Sequence, residues 1–248
     1  MIVRRLSKII SSRDQVSSSL SPHTIIIEDA SLELVPKKFW NHKSCRLFES
    51  RFGVPPENQI LDDNFHHEIV EKLERAQKRG RPDVVHFALL DIMSTPAYME
   101  KQIRPVIHTI NDETILVEAG VRIPRTELRF VGVMSKILRH QSGESENKFF
   151  QLVQNQEIQE LLTALTPEKV LGLTTQGNLR DLSEVMEGQT IGRHRTIAWI
   201  VGGFPRGHFS EKVKGLTNDL ISISDRPLAA HVVTSRLSYE IERSELLG

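Results

Sequence analysis

The chain has 248 residues, 39% hydrophobic and 26% charged, which is ordinary globular usage. Its 32 Lys+Arg balance 32 Asp+Glu, so a basic field over the whole protein is excluded while a local basic patch is not. The single cysteine, Cys45, excludes an intrachain disulfide and fits a reducing compartment. No apolar run approaches the ~18 residues of a membrane span. The opening Met1-Ile2-Val3-Arg4-Arg5 lacks the apolar stretch of a secretory signal, so a soluble intracellular protein is expected.

In chain order, the serine-rich stretch 11–19 reads as a flexible lead-in. The β-branched run from Thr24 to Glu28 predicts the first strand. Residues 35–63, with Pro36, Gly53, Pro55 and Pro56, read as irregular. Asn64 can cap a helix to about Arg79, with Ile69, Leu73 and Ala76 at helical spacing and Gly80 as its stop. Residues 83–90 are nearly all apolar after Asp83 and read as a strand buried on both faces of a parallel sheet. Strands are expected near 105–110 and 114–118, then helices over 126–140 and 148–165. The last third alternates: a strand at 168–173, a helix at 179–187, strands at 196–201 and 220–224, and a helix at 228–246. That alternation predicts an α/β fold with a mostly parallel sheet. We read a single domain over 1–248 with a partly β excursion around 91–125.

Four constellations could carry chemistry. Arg81-Pro82-Asp83 opens the run 83–90, where an unpaired carboxylate would be costly, so Asp83 should pair with Arg81. A structural ion pair and an arginine held to grip a phosphate both fit that reading. Between 122 and 139 lie Arg122, Arg125, Arg129, Lys136 and Arg139 against one acid, Glu127. Arginine forks suit phosphate geometry, so this is a localised anion site or a solvated helix face. The glycine-rich turn Gly202-Gly203-Phe204-Pro205-Arg206-Gly207 follows an apolar strand, where ligands approach open α/β sheets. Finally, Ile223-Ser224-Asp225-Arg226-Pro227-Leu228 leads a strand into the last helix, with Pro227 at a helix start.

Other chemistries fail on spacing. GxGxxG and GxxxxGK[ST] are absent, so a pyrophosphate grip is not expected at the glycine turn. The ten histidines form no HExxH and no Cys/His cluster, so no metal site is expected. There is no GxSxG. His66, His67 and His86 read as structural.

Together, the segments RGRPDVVHF (79–87), RIPRTELRF (122–130), GGFPRGHF (202–209) and ISISDRPL (221–228) resemble the ribosome-biogenesis pseudouridine N1-methyltransferases, a family of the SPOUT class. Their order and separation match over about 150 residues. The resemblance implies a C-terminal trefoil knot, a homodimer, and S-adenosylmethionine as cofactor. The implied substrate is a pseudouridine in a small-subunit ribosomal RNA hairpin, methylated at ring nitrogen N1. It places the cofactor against Thr174 with Leu173 as neighbour, against Gly202 and Gly207, and against Ile223, Ser224, Asp225, Arg226, Pro227 and Leu228. It places the RNA against Arg81, Arg122, Arg125 and Arg129, with Asp83 holding Arg81. The stretch 175–195 is longer than the family's pattern, and Glu127 sets an acid inside the arginine cluster. An aspartate committed to an arginine is a poor base, so the general base stays unassigned. A SPOUT enzyme acting on transfer RNA and a catalytically silent RNA-binding assembly factor are the rival readings. The chain resembles compact archaeal-type members, for which a cytoplasmic location is expected, nucleolar if the source is eukaryotic.

Overall fold

The computed structural model describes residues 21–139, 149–188 and 196–247. The serine-rich stretch 11–19 and the expected helix ends at His140 and Lys148 lie outside the described residues. The elements run β1 (His23–Ala30), α1 (Lys43–Phe52), α2 (Asp63–Val70), α3 (Pro82–Met93), α4 (Pro96–Met99), β2 (Ile103–Thr109), β3 (Thr114–Val117), α5 (Glu127–Arg139), β4 (Phe150–Val153) and α6 (Ile158–Leu165). They continue with β5 (Lys169–Leu179), α7 (Leu182–Glu187), β6 (Ile197–Gly202), α8 (Glu211–Leu216), β7 (Asp219–Ser222) and α9 (Ala230–Leu246).

The strands form one sheet in the order β4-β3-β2-β1-β6-β5-β7. Every pairing from β2 to β7 is parallel, and β3 and β4 extend the sheet antiparallel. Residues 91–125, read as an excursion, supply β2 and β3. The central strand β1 is buried on both faces, as expected of a parallel sheet covered by helices. Ile25 and Ile27 join the core built with α3, α5 and α9, whereas Ile26 joins the core built with α6 and α8.

Residues 83–90 are corrected from strand to helix. Pro82 occupies the first turn of α3 and Asp83 lies within it, where a proline and an acid both favour a helix start. Val85, Ala88, Leu89 and Ile92 are fully buried there. A short apolar run enclosed on most sides carries no period that separates strand from helix. The expected helix 64–79 is shorter: Asp62 caps α2 by accepting from the Asn64 N–H at 2.9 Å, and the helix ends at Val70. Residues 35–63 contain α1, closed by Gly53 in the left-handed region at φ 68°. The expected helix 148–165 divides into β4 and α6. Of the apolar positions on α9, Leu237 and Ile241 are wholly buried within this chain, so they are core and not contact surface.

One close approach organises the C-terminal half. Ile221 of β7 pairs with Leu173 and also with Asn178, both on β5. Both pairings are parallel, so the two strands slip in register between Leu173 and Asn178, where β5 crosses close against the β7 backbone. At the crossing sits Gly177, where any Cβ would overlap the Ile221 nitrogen and the Leu220 carbonyl group. Gly177→Ala should therefore destabilise by about 1–3 kcal/mol, the usual cost of overpacking. Gly215→Ala, where a Cβ meets open space, should be neutral or stabilising by less than about 1 kcal/mol. Urea unfolding midpoints decide this, and a Gly177→Ala midpoint at or above wild type contradicts the contact.

Two buried groups give opposing pH dependence. Burial pushes the His66 imidazole down to about 4. The unfolded chain then binds the extra proton as pH falls from about 6.5, so this contribution to stability is lost towards acid. Burial, helped by the charge of Glu33, pushes the Glu113 carboxyl up to about 7. There the folded form holds the extra proton, so stability falls as pH rises from about 4.5 to 7. Between pH 5 and 7, Glu113→Gln should gain melting temperature more steeply than wild type, and His66→Gln less steeply. Identical slopes in all three proteins contradict the assignment.

Candidate functional site

In the sheet β5 lies between β6 and β7, and the loops leaving β6 and β7, with Leu173, Thr174 and Thr175 inside β5, enclose a cleft of about 380 Å³. This is where open α/β sheets bind ligands, and the size suits a small molecule. Leu173, Thr174, Gly202, Gly207, Ile223, Ser224, Arg226, Pro227 and Leu228 all line it. Asp225 is the one expected residue that does not line it; it is exposed, 3.5 Å from the Ser224 hydroxyl. Phe204, Arg206, His208 and Phe209 line the cleft as well. They lie inside the same glycine-rich segment, where only the glycines were singled out from sequence.

Side-chain turns shape the last loop. The Ser222 hydroxyl donates to the Ser224 carbonyl at 2.7 Å, and the Arg226 N–H donates to the Ser224 hydroxyl at 3.1 Å. The glycines have an intramolecular cause. A Cβ on Gly202 would meet the Phe204 ring at 2.9 Å. Gly207 has φ +111°, in the region that disfavours side chains. The cleft lining mixes apolar side chains (Leu173, Val201, Ile223, Leu228, Val233) with Arg206, Arg226 and His208. No carboxylate is among these lining residues.

The expected anion site forms beside the cleft. Arg81 Nε and Nη2 donate to the two Asp83 oxygens at 2.7 and 2.6 Å, a bidentate pair at the start of α3. One turn along α3, buried His86 donates from Nε2 to the Pro124 carbonyl at 2.7 Å and stacks on Phe130 at 4.4 Å. This fixes the turn that carries Arg122 and Arg125. Arg122, Arg125 and Arg129 are all exposed, and Arg125 precedes α5 rather than lying on its face. Partial burial raises the Glu127 carboxyl, with Asp83 and Asp62 pushing the same way and Arg81 opposing, so Glu127 shares the field of the Arg81 pair. Two hydrogen bonds join the patch to the cleft. The Arg81 N–H donates to the Ser31 hydroxyl at 2.7 Å, and the Ser31 N–H donates to the Gly203 carbonyl at 2.8 Å.

The EMG1/NEP1 methyltransferase family model matches residues 25–242, which spans both the cleft and the patch. The chain belongs to this family. It is 32% identical over 220 residues to ribosomal RNA small subunit methyltransferase Nep1 of Pyrococcus furiosus, covering 88% of this chain and 96% of that protein. The Nep1 of Saccharolobus solfataricus is 33% identical over 215 residues, covering 86% and 93%. Among solved structures, Archaeoglobus fulgidus Nep1 bound to S-adenosylhomocysteine superposes with a TM-score of 0.75 at 30% identity, covering 90% of this chain and 98% of that one.

Among the described residues, no group of three or more His, Cys, Asp or Glu side chains is placed to hold a metal ion, and no helix is long and apolar enough to cross a membrane.

Arg81 is 44% and Asp83 19% exposed at the side chain, so the pair adds little to stability. Asp83→Asn should cost less than about 1 kcal/mol in urea unfolding. A loss above about 3 kcal/mol would make Asp83 a folding residue instead.

Proposed function

We propose that this protein transfers a methyl group from S-adenosylmethionine to N1 of a pseudouridine in small-subunit ribosomal RNA. The observation that carries the reading is the junction of the two sites. A small-molecule cleft at three adjacent strands is tied through Ser31 to an arginine patch at the start of α3.

The residues present fit the cofactor. The apolar wall formed by Leu173, Ile223 and Leu228 suits a flat aromatic base, and the loop backbones between 202 and 207 and between 222 and 228 suit its polar edges. When bound, the sulfonium supplies an activated methyl group. The chain's own task is to set the acceptor nitrogen in line with it and keep water out. Arg81, Arg122, Arg125 and Arg129 would hold the phosphates around a base turned out of its stack, as recognition of RNA loops requires. Asp83 keeps the Arg81 fork in one orientation. The acceptor nitrogen must also lose its proton, and with no carboxylate in the lining we assign no side chain as the base.

Two finer readings accompany this one. The double pairing of Ile221 supports the trefoil knot that the SPOUT resemblance implies. Exposed Phe87 and Tyr239, at 45% and 58%, with the Phe87–His231 edge contact at 6.1 Å, give α3 and α9 an apolar surface suited to a second copy of this chain.

Two titrations test the proposal. Calorimetry with S-adenosylhomocysteine should show binding by wild type and loss in Gly207→Val; unchanged affinity in the variant contradicts the cleft assignment. Binding of a pseudouridine-bearing hairpin RNA should weaken with salt by roughly 0.7 log units per phosphate contact and decade of salt. Arg125→Ala and Arg129→Ala should each lower affinity and make that slope shallower by about one contact. Parallel lines with unchanged intercepts would reduce the cluster to a solvated surface.

A further inference from the structure

Behind the glycine loop lies a buried charged group that the proposed reaction does not use. Lys78 is 5% exposed, and its ammonium donates to Asp29 Oδ2 at 2.6 Å. Asp29 is 6% exposed and holds the left-handed conformation at φ 50°, which is uncommon outside glycine although aspartate tolerates it better than most residues. Arg75, itself at φ 55°, donates to the other Asp29 oxygen at 2.9 Å and to the Ile110 carbonyl at 2.7 Å. Strained backbone and buried charge of this kind persist only where the surroundings hold them, and they gather at functional sites.

The ammonium faces the cofactor cleft through one ring. Lys78 Nζ sits 4.1 Å from the centroid of Phe204, whose ring lines the cleft and rests on Gly202. The lysine stem runs beneath Gly207, where a Cβ would come within 3.4 Å of Lys78 Cε. On the same side, the Gly203 N–H donates to the Glu28 carbonyl at 2.7 Å, next to Asp29 in sequence. The loop 202–207 therefore rests on Lys78 at two points, the ring of Phe204 and the backbone of Gly207, while Gly203 is tied to the Glu28 carbonyl.

We propose that Lys78, held by Asp29, is a positioning residue for the cofactor: by capping the Phe204 ring it sets the wall of the cleft. The proposal rests on the cleft being the S-adenosylmethionine site. A desolvated cation on an aromatic face is among the stronger contacts of its kind, so the ring should be fixed while Lys78 is charged. Methionine at 78 keeps the stem and removes the charge. Because Arg75 remains on Asp29, the aspartate keeps a partner and the fold is retained.

The test is a double-mutant cycle on S-adenosylhomocysteine affinity, with Lys78→Met, Phe204→Leu and the pair measured by calorimetry. Lys78→Met should weaken binding at least about fivefold, while its affinity for a pseudouridine-bearing hairpin RNA stays at the wild-type value. If the lysine acts through the ring, the double variant should bind no worse than the weaker single variant. Additive losses, or wild-type affinity in Lys78→Met, overturn the proposal while leaving the cleft assignment intact. Failure of wild type itself to bind the probe overturns both. Should Lys78→Met fail to melt cooperatively, Lys78→Gln, which keeps the hydrogen bond to Asp29, takes its place. If neither variant folds, Lys78 is a folding residue and the proposal is wrong.

Discussion

The C-terminal half depends on one backbone contact, the crossing of Gly177 over Leu220 and Ile221. It fixes how β7 lies against β5, whose residues 173–175 line the cleft together with the loop that leaves β7. Those segments, with the loop after β6, are the walls of the cleft. The contact is steric and allows a single residue type, so the geometry of the site follows from the absence of one Cβ.

The same economy holds on the other side of the cleft. The turn after β1 supplies Ser31, which touches both the glycine loop and the backbone of Arg81. The end of β1 itself supplies Asp29, which anchors Lys78 beneath the loop. The small-molecule cleft and the arginine patch are thus built on one segment, 28–31, at the carboxyl end of the central strand. In the proposed reaction a methyl donor and a polyanion meet there at bonding distance. Rigid shared footings are the cheapest way to fix that distance, because the sheet orders them already.

Much of the site was legible in the sequence, since its residues cluster in four short segments with distinctive glycine, proline and arginine placement. The Arg81–Asp83 pair followed from the cost of a lone carboxylate at the head of an apolar run. What was not legible is instructive. Residues 83–90 read as a strand because burial on most sides erases periodicity, although Pro82 and Asp83 already carried a helix-start signal. Helix α1 escaped notice because the prolines and glycine around it dominated the reading. The role of Phe204 could not be read from sequence, because only the fold brings Lys78 to its ring. Gly202 and Gly207 both line the cleft, and Gly202 accommodates an internal ring as well.

The central claim is that the cleft and the patch act together on one modified base. It is tested most directly by incubating the protein with methyl-labelled S-adenosylmethionine and paired hairpin RNAs that differ only in carrying pseudouridine or uridine in the loop, then mapping the label by mass spectrometry. The account predicts one methyl group on N1 of the pseudouridine and none on the uridine hairpin. Label on both hairpins, at another atom, or on neither while both ligands bind would contradict it.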